Sequence, residues 1–382
     1  MAVIVLDTET TTHNKGNVYD PRNQLCLLVV KVISESSTSV LSFTKPWDVG
    51  RIHEILSSGR LLVGFNIKFY LAWCRHEFGF IPVFGTRIFD CQYAEFLFSN
   101  QTWRFPDLRT ACEKRGLDPK LDYINENYWS KGIDTPDIPE NELLEYCVND
   151  VEITHQLYDV HMKMFSGEHA SKYRLFRLHM LDLPVLLEME WNGLLYNKEK
   201  SLELSESYDK QVANVERKLN EFFDYEVNWG SGPEKSTVLY GGTIIRKSHV
   251  PIGTFKSGQK IGETRYKVVE TKTLFDRLVE PLQGSELATE GLWSTDEGTL
   301  RSLKTTKRIK AVIDRILERQ KLEKMNGTYL KGLPKKLDEM GWGSILHPSY
   351  NNCVAVTGRV ASSNPNGQNI PAVGKQLIES RF

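Results

Sequence analysis

Four short apolar runs near the amino terminus constrain the fold more than anything else in the chain. Residues 2–6 are apolar and β-branched and are followed by turn-formers. Residues 24–33, "QLCLLVVKVI", form a second run, residues 39–43 alternate, and "LLVGF" at 61–65 leads into a helical pattern from Ile67. Runs of this length and composition predict strands. Three strands in succession, followed by strand and helix in alternation, predict an α/β domain on a mixed sheet.

Further along, residues 47–56 predict a helix, and "FPDLRTACEKRG" predicts one that starts at Asp107 and stops at Gly116. A longer helix opens at Pro139, with Leu143, Tyr146, Cys147, Val151 and Thr154 at helical spacing. From His169 the character changes to successive long helices, 173–191 with Gly193 as its stop, then 198–223. Residues 230–233 break the pattern and residues 295–337 are helical again. Residues 243–273 are polar and glycine-spotted, which reads as a hairpin-rich insertion or a mobile loop. The chain of 382 residues has room for two or three domains, with a boundary near 165–170.

A formal net charge of -1 excludes a basic nucleic-acid coat, yet charge is unevenly placed. Acids crowd 118–159, while Arg301, Lys304, Lys307, Arg308, Lys310, Arg315, Arg319, Lys321 and Lys324 follow one another with few acids between. Such a chain can hold one acidic metal pocket and one basic groove. The six cysteines show no CxxC spacing, so neither a zinc site nor a disulfide framework is signalled, and a reducing cytoplasm is expected. The apolar start "MAVIVLDTET" is too short and lacks the basic lead expected of a signal peptide, and no run is long enough to span a bilayer, so no membrane association is expected.

Asp7 and Glu9 flank Thr8 at the end of the first strand, and strand residues two apart point the same way, so both carboxylates can meet one cation. Alone, such a pair is more often a solvated turn. Tyr146 and Asp150 stand at i, i+4 on one helical face, which alone is equally consistent with a core tyrosine and a surface aspartate. The order is what carries information: a strand-borne DxE, then "GFNIKFY" at 64–70, then YxxxD on a later helix.

That order resembles the proofreading 3′–5′ exonuclease domain of family A DNA polymerases, the tyrosine-type branch of the DEDD nucleases, over about the first 165 residues. "FDCQYAEFLF" from Phe89 is similar to a structural segment of that domain. The resemblance implies a ribonuclease H-like fold and two-metal phosphodiester hydrolysis with Mg²⁺ or Mn²⁺. It assigns metal binding to Asp7, Glu9 and Asp150, orientation of the attacking water to Tyr146, and DNA contact to Asn66. The family pattern G-x-N-x-K-[FY]-D ends in a carboxylate, and Tyr70 stands in that place. A phenol is neutral near pH 7 and a poor ligand for a hard cation, so one of two metal sites is expected to be weak and cleavage impaired. Alternatively Tyr70 merely packs, and Asp90 or Glu95 supplies the ligand from a shifted register.

"DLPVLLEMEWNGLLYN" from Asp182 resembles the helix that follows the exonuclease domain in these polymerases. "ILERQKLEKMNGTYLKGLPKKL" resembles their thumb helix, with Lys324 and Thr328 in matching places; without the resemblance it is equally a solvated charged face. "TGRVASSNPNGQNIP" at 357–371 is the most specific signal, similar to the segment TGRLSSxxPNLQNIP in which thumb passes into palm and touches the primer–template minor groove. It points to Arg359, Asn366, Gln368 and Asn369 as DNA contacts, although Gly367 and Val360 depart from the usual residues.

The resemblance therefore divides the chain into an exonuclease-like domain (1–165), a mainly helical thumb region with an insertion near 243–273 (166–350), and the start of a palm (351–382). The palm aspartates and the fingers helix do not follow. The expectation is a phage-like, amino-terminal polymerase portion in the host cytoplasm that binds primer–template and single-stranded 3′ ends. A second chain carrying palm and fingers would complete it, and an exposed apolar patch at 370–382 would favour such a partner. Three functions compete: an exonuclease-plus-thumb subunit, a non-catalytic DNA-holding scaffold, and a free-standing exonuclease. The thumb and TGR segments argue against the last, since a free nuclease needs neither.

Overall fold

A computed structural model describes residues 2–82, 85–118, 121–254, 256 and 261–379. The chain separates into two compact units, Met1–Lys198 with Lys335–Phe382, and Glu199–Pro334. Packing thus groups the helix after residue 170 and the strands after Pro334 with the amino-terminal sheet.

In the first unit the elements run β1 (Ala2–Thr10), β2 (Leu25–Ile33), β3 (Thr38–Phe43), α1 (Val49–Ser58), β4 (Gly59–Gly64), α2 (Ile67–Phe78), β5 (Arg87–Asp90), α3 (Cys91–Phe98), α4 (Leu108–Lys114), α5 (Tyr123–Asn127), α6 (Glu140–Ser166), α7 (Tyr173–Asn192) and β6 (Leu194–Tyr196). Five strands form one sheet in the order β3-β2-β1-β4-β5. β1 pairs antiparallel with β2 and parallel with β4, so the sheet is mixed, as the order of the runs predicts. β1 extends beyond Leu6 to Thr10 because Asp7 and Glu9 continue the ladder opposite Val29 and Leu27. Ile4, Val5 and Leu6 are fully buried, and α6 runs against β1 and β2.

Several elements escape the sequence patterns, and for β5 and α3 the physical reason is plain. β5 is four residues long, too short to display a period. In α3, from Cys91 to Phe98 only Gln92 is not buried, so no polar face marks it as amphipathic. The Asp107 start is correct: its carboxylate accepts from the Thr110 amide at 2.8 Å, and Gly116 follows at φ +67°.

The second unit contains α8 (Lys198–Phe223), α9 (Gly232–Tyr240), β7 (Gly242–Thr254), β8 (Thr264–Phe275), α10 (Glu297–Ser302) and α11 (Lys307–Glu323), followed by a π-helical stretch (Lys324–Lys331) that passes into α12 (Gly332–Met340). Its core joins Val215 and Leu219 of α8 to Val312, Ile313 and Ile316 of α11 around Trp229 and Tyr240. The expected helix over 295–337 is interrupted at 303–306, where the Thr306 hydroxyl caps a new start by accepting from the Ile309 amide. Within 243–273 the described residues pair as two long antiparallel strands, β7 with β8. Lys260 of that insertion lies outside the described residues.

The chain then returns to the first unit with β9 (Ile345–Leu346), β10 (Ser349–Asn351), β11 (Ala361–Ser363), α13 (Ala372–Lys375) and β12 (Ile378–Glu379). β12 and β9 flank β6, and β10 pairs with β11. The Trp342 indole donates to the Tyr19 carbonyl at 2.6 Å, and Tyr19 stacks on His347 at 4.4 Å. Ile370 and Leu377 are buried, so among the described residues 370–379 offers no apolar patch of the kind expected; 380–382 lie outside them. All six cysteines are free. Among the described residues no helix is long and apolar enough to cross a membrane.

Candidate functional site

Asp7 and Glu9 leave β1 on one face, opposite α6 and beside the start of α2. Both are buried, as is Asp150 on α6. Ligand atoms of Asp7, Glu9 and Cys147 lie within 4.8 Å of one another. The Cys147 thiol donates to Asp7 Oδ2 at 3.6 Å. Cys147 precedes Asp150 by three residues and so shares its helical face; that spacing was the available signal, and the sequence reading passed over it.

Tyr70 enters the same cluster from α2. Its hydroxyl donates to Asp7, and burial, followed by the charges of Asp7, Asp150 and Glu9, pushes the phenol well above its ordinary range. The Cys147 thiol is pushed well up for the same reasons, burial first and then Asp7, Glu9 and Asp150. Both neighbours of Asp7 are therefore neutral donors. The Tyr70 ring lies flat against the end of β4, where a Cβ on Gly64 would come within 3.0 Å of ring atoms Cδ2 and Cε2. The glycine is required by that approach.

Asp90 and Glu95, the two carboxylates considered as substitutes for Tyr70, have other tasks. Asp90 Oδ1 caps α3 through the Gln92 and Tyr93 amides and accepts from the Asn66 amide at 3.0 Å. Burial pushes Asp90 up to about 6 despite these bonds. Glu95 accepts from Arg115 Nε and Nη2 and from His161 Nε2, all at 2.7 Å. Burial raises its carboxyl, but the bonds from His161 and Arg115 prevail and hold it low.

Other expected residues are placed as follows. Tyr146 is buried with its ring edge-on to Trp129 at 5.7 Å and to Tyr123 at 6.4 Å. Asn66 takes a left-handed conformation, φ 64°, at the start of α2. Lys68, in the same motif, turns away from the acids: its ammonium pairs with Glu190 of α7 and donates to the Tyr350 carbonyl at 2.6 Å. It is a structural tie that the sequence did not disclose.

In the second unit, Lys324 and Thr328 are exposed on the π-helical stretch, while Met325, Asn326, Tyr329 and Leu330 are buried behind them. Asn326 fixes the stretch to α8, accepting from the Ser205 hydroxyl at 2.7 Å and donating to Asp209 at 2.7 Å. In the first unit, Arg359, Asn366, Gln368 and Asn369 are exposed. The Asn366 side chain is engaged locally, accepting from the Asn369 amide at 3.2 Å.

Asp7 and Glu9 offer the oxygen donors that a hard divalent cation takes, and the third ligand atom grouped with them is the Cys147 thiol; Asp150, also buried, is near enough for its charge to act on Cys147 and Tyr70.

The fold is that of a polymerase domain. It matches the structure titled "POL domain of Pol1 from M. smegmatis complex with DNA primer-template and dNTP" with a TM-score of 0.65 at 15% identity, over 98% of this chain and 54% of that one. Residues 256–381 match the family described as DNA polymerase family A. The DNA polymerase I of Treponema pallidum is 27% identical over 247 residues, 64% of this chain and 20% of the relative. The DNA polymerase of Bacillus phage SP01 is 24% identical over 253 residues, 61% of this chain and 26% of the relative. That of Thermus thermophilus reaches 37% over 100 residues, 26% of this chain. Over residues 256–381 the chain is similar to the family A DNA polymerases, and it spans a fifth to a quarter of the length of the first two of these relatives.

Proposed function

We propose that the chain is the 3′–5′ exonuclease and DNA-holding part of a family A DNA polymerase that acts in DNA replication, with its nuclease impaired. The observation that carries this reading is the meeting of Asp7 and Glu9 of β1 with Cys147 of α6 in one buried group, with Tyr70 and Asp150 near enough to act on it, on a mixed sheet of order β3-β2-β1-β4-β5. That strand order suits a ribonuclease H-like domain. Asp7, Glu9 and Asp150 would hold Mg²⁺ or Mn²⁺, which when bound supplies an activated water and stabilises charge on a phosphodiester.

This chain's own side chains do the rest. Tyr146 presents a hydroxyl from the α6 turn before Asp150 and orients the water attacking the terminal phosphodiester. Tyr70 keeps its proton and donates a hydrogen bond to Asp7, so it adds no negative charge for a second cation. Losing even a few kcal/mol of charge stabilisation slows such a step by on the order of 10²-fold or more. Lys324 and Thr328 hold duplex backbone, and Arg359, Gln368 and Asn369 reach the groove edge and sugars.

Tyr70 also favours a second reading, a scaffold that binds primer–template and docks a separate chain carrying palm and fingers. Leu178, Leu181, Val185 and Met189 form an exposed apolar row along α7 that such a partner would cover. The two readings separate on release of 3′ nucleotides from labelled single-stranded DNA with Mn²⁺. Slow release abolished by Asp7→Asn supports an impaired nuclease; tight primer–template binding with no release above background supports the scaffold. Neither release nor binding contradicts both.

A further inference from the structure

β7 and β8 pair from Gly242–Phe275 out to Thr254–Thr264, a ribbon about 40 Å long at the usual rise per residue. Most of its side chains are exposed beyond the first few residues. Its described residues carry six cations, Arg246, Lys247, Lys256, Arg265, Lys267 and Lys272, against Glu263 and Glu270, in a chain whose net charge is -1.

Two of these cations have local work. Arg246 anchors the root, bonding the Glu226 carbonyl and Glu234 while lying 4.9 Å over Tyr225. Lys247 pairs with Glu270 across the ladder at 3.2 Å. Arg265, Lys267 and Lys272 are exposed and have no acidic partner among the described residues. Cross-strand partners share a face and alternate residues return to it. Arg246, Lys267 and Arg265 therefore line one face with Ser248, Val250, Val269 and Thr271, and that face carries no acid. Unpaired like charges on a thin ribbon gain nothing for folding and repel one another. Cations spaced along an extended, flat element suit an anion that repeats along a line, which is the phosphate backbone of nucleic acid.

We propose that the β7–β8 ribbon is a sequence-independent arm for duplex DNA that lays its Arg265 and Lys267 face along the phosphates. The proposal rests on the reading above that this chain holds primer–template DNA. It adds a contact that neither the thumb-like stretch nor the TGR segment supplies.

The test is anisotropy of the full chain on a labelled duplex of about 30 base pairs across a salt series, for the parent, for Lys324→Ala, and for the double variant Arg265→Gln, Lys267→Gln. Each lost phosphate contact lowers the slope of log K against log salt by about 0.9. The double variant is expected to lose about 2 units of slope and about tenfold in affinity near 0.1 M salt, with unchanged circular dichroism and Tm. A companion variant of the other face, Ile245→Thr with Val268→Thr, is expected to bind like the parent. A parental slope in the double variant, with Lys324→Ala still lowering it, overturns the arm and leaves the polymerase reading intact. Loss of binding in the companion variant alone overturns it in favour of an apolar protein contact. A parent that does not bind duplex overturns both the arm and the reading beneath it.

Discussion

The Tyr70 hydroxyl donates to the carboxylate of Asp7, so the side chain in the expected ligand position serves the acid cluster as a hydrogen-bond donor. A buried carboxylate that keeps its charge needs such a partner. Replacing Tyr70 by Phe removes the bond and keeps the ring against Gly64. In metal-free buffer Tyr70→Phe is expected to cost about 1–3 kcal/mol in urea unfolding. An unchanged midpoint and slope contradicts the assigned bond.

Asp7, Glu9 and Asp150 crowd three buried acids into one place. Removing one charge relieves repulsion but removes a ligand. Asp7→Asn is expected to leave metal-free Tm level or higher while abolishing the rise that Mn²⁺ gives the parent. A variant that keeps the Mn²⁺ rise shows that the cation binds elsewhere.

Asp90 supplies a pH test. Its folded pKa, raised by burial to about 6, exceeds the ordinary carboxylate value, so the folded state holds a proton that the unfolded state has released. This contribution is fully present below about pH 4 and is lost as pH rises through about 6, roughly 3 kcal/mol at most. Asn can accept the same three amide bonds at Oδ1 and does not titrate. The stability of Asp90→Asn relative to parent should therefore rise between about pH 4 and 6.5. Its Mn²⁺ response should be that of the parent. A flat difference removes the buried ionisation, and a lost Mn²⁺ response makes Asp90 the ligand instead of the cap.

Lys68 and Glu190 form a nearly buried pair joining α2 to α7. Breaking one side strands the other charge, at a cost of about 3–5 kcal/mol. Lys68→Met should lower stability by that order, and adding Glu190→Gln should recover part of it. Loss under 1 kcal/mol, read by denaturant titration, contradicts a structural role for the motif lysine.

Much of this was legible because β1, β2 and β4 are buried runs whose composition has few other uses, and because Asp7 and Glu9 keep strand spacing inside the ladder. The single-turn caps at Asp107 and Thr306 differ in visibility. Asp107 follows Phe105-Pro106 and precedes an apolar stripe, whereas Thr306 sits among lysines that mask the end of α10. Cys147 and Lys68 were not legible as partners of Asp7 and Glu190, since those contacts join residues more than a hundred positions apart. The rest of the ambiguity over 243–273 was chemical. Alternation there is weak because a ribbon exposed on both faces has no core side to mark.

The central claim is that the acid cluster is a phosphodiester-cleaving site held back by Tyr70. The most direct measurement is Mn²⁺- and Mg²⁺-dependent release of 3′ nucleotides from labelled single-stranded DNA by the parent and by Tyr70→Asp at equal concentration. The account predicts that Tyr70→Asp releases nucleotides on the order of 10²-fold faster than the parent, and that adding Asp7→Asn abolishes the gain. Equal rates for parent and Tyr70→Asp would contradict it, since the tyrosine would then be no obstacle and another group would complete the site.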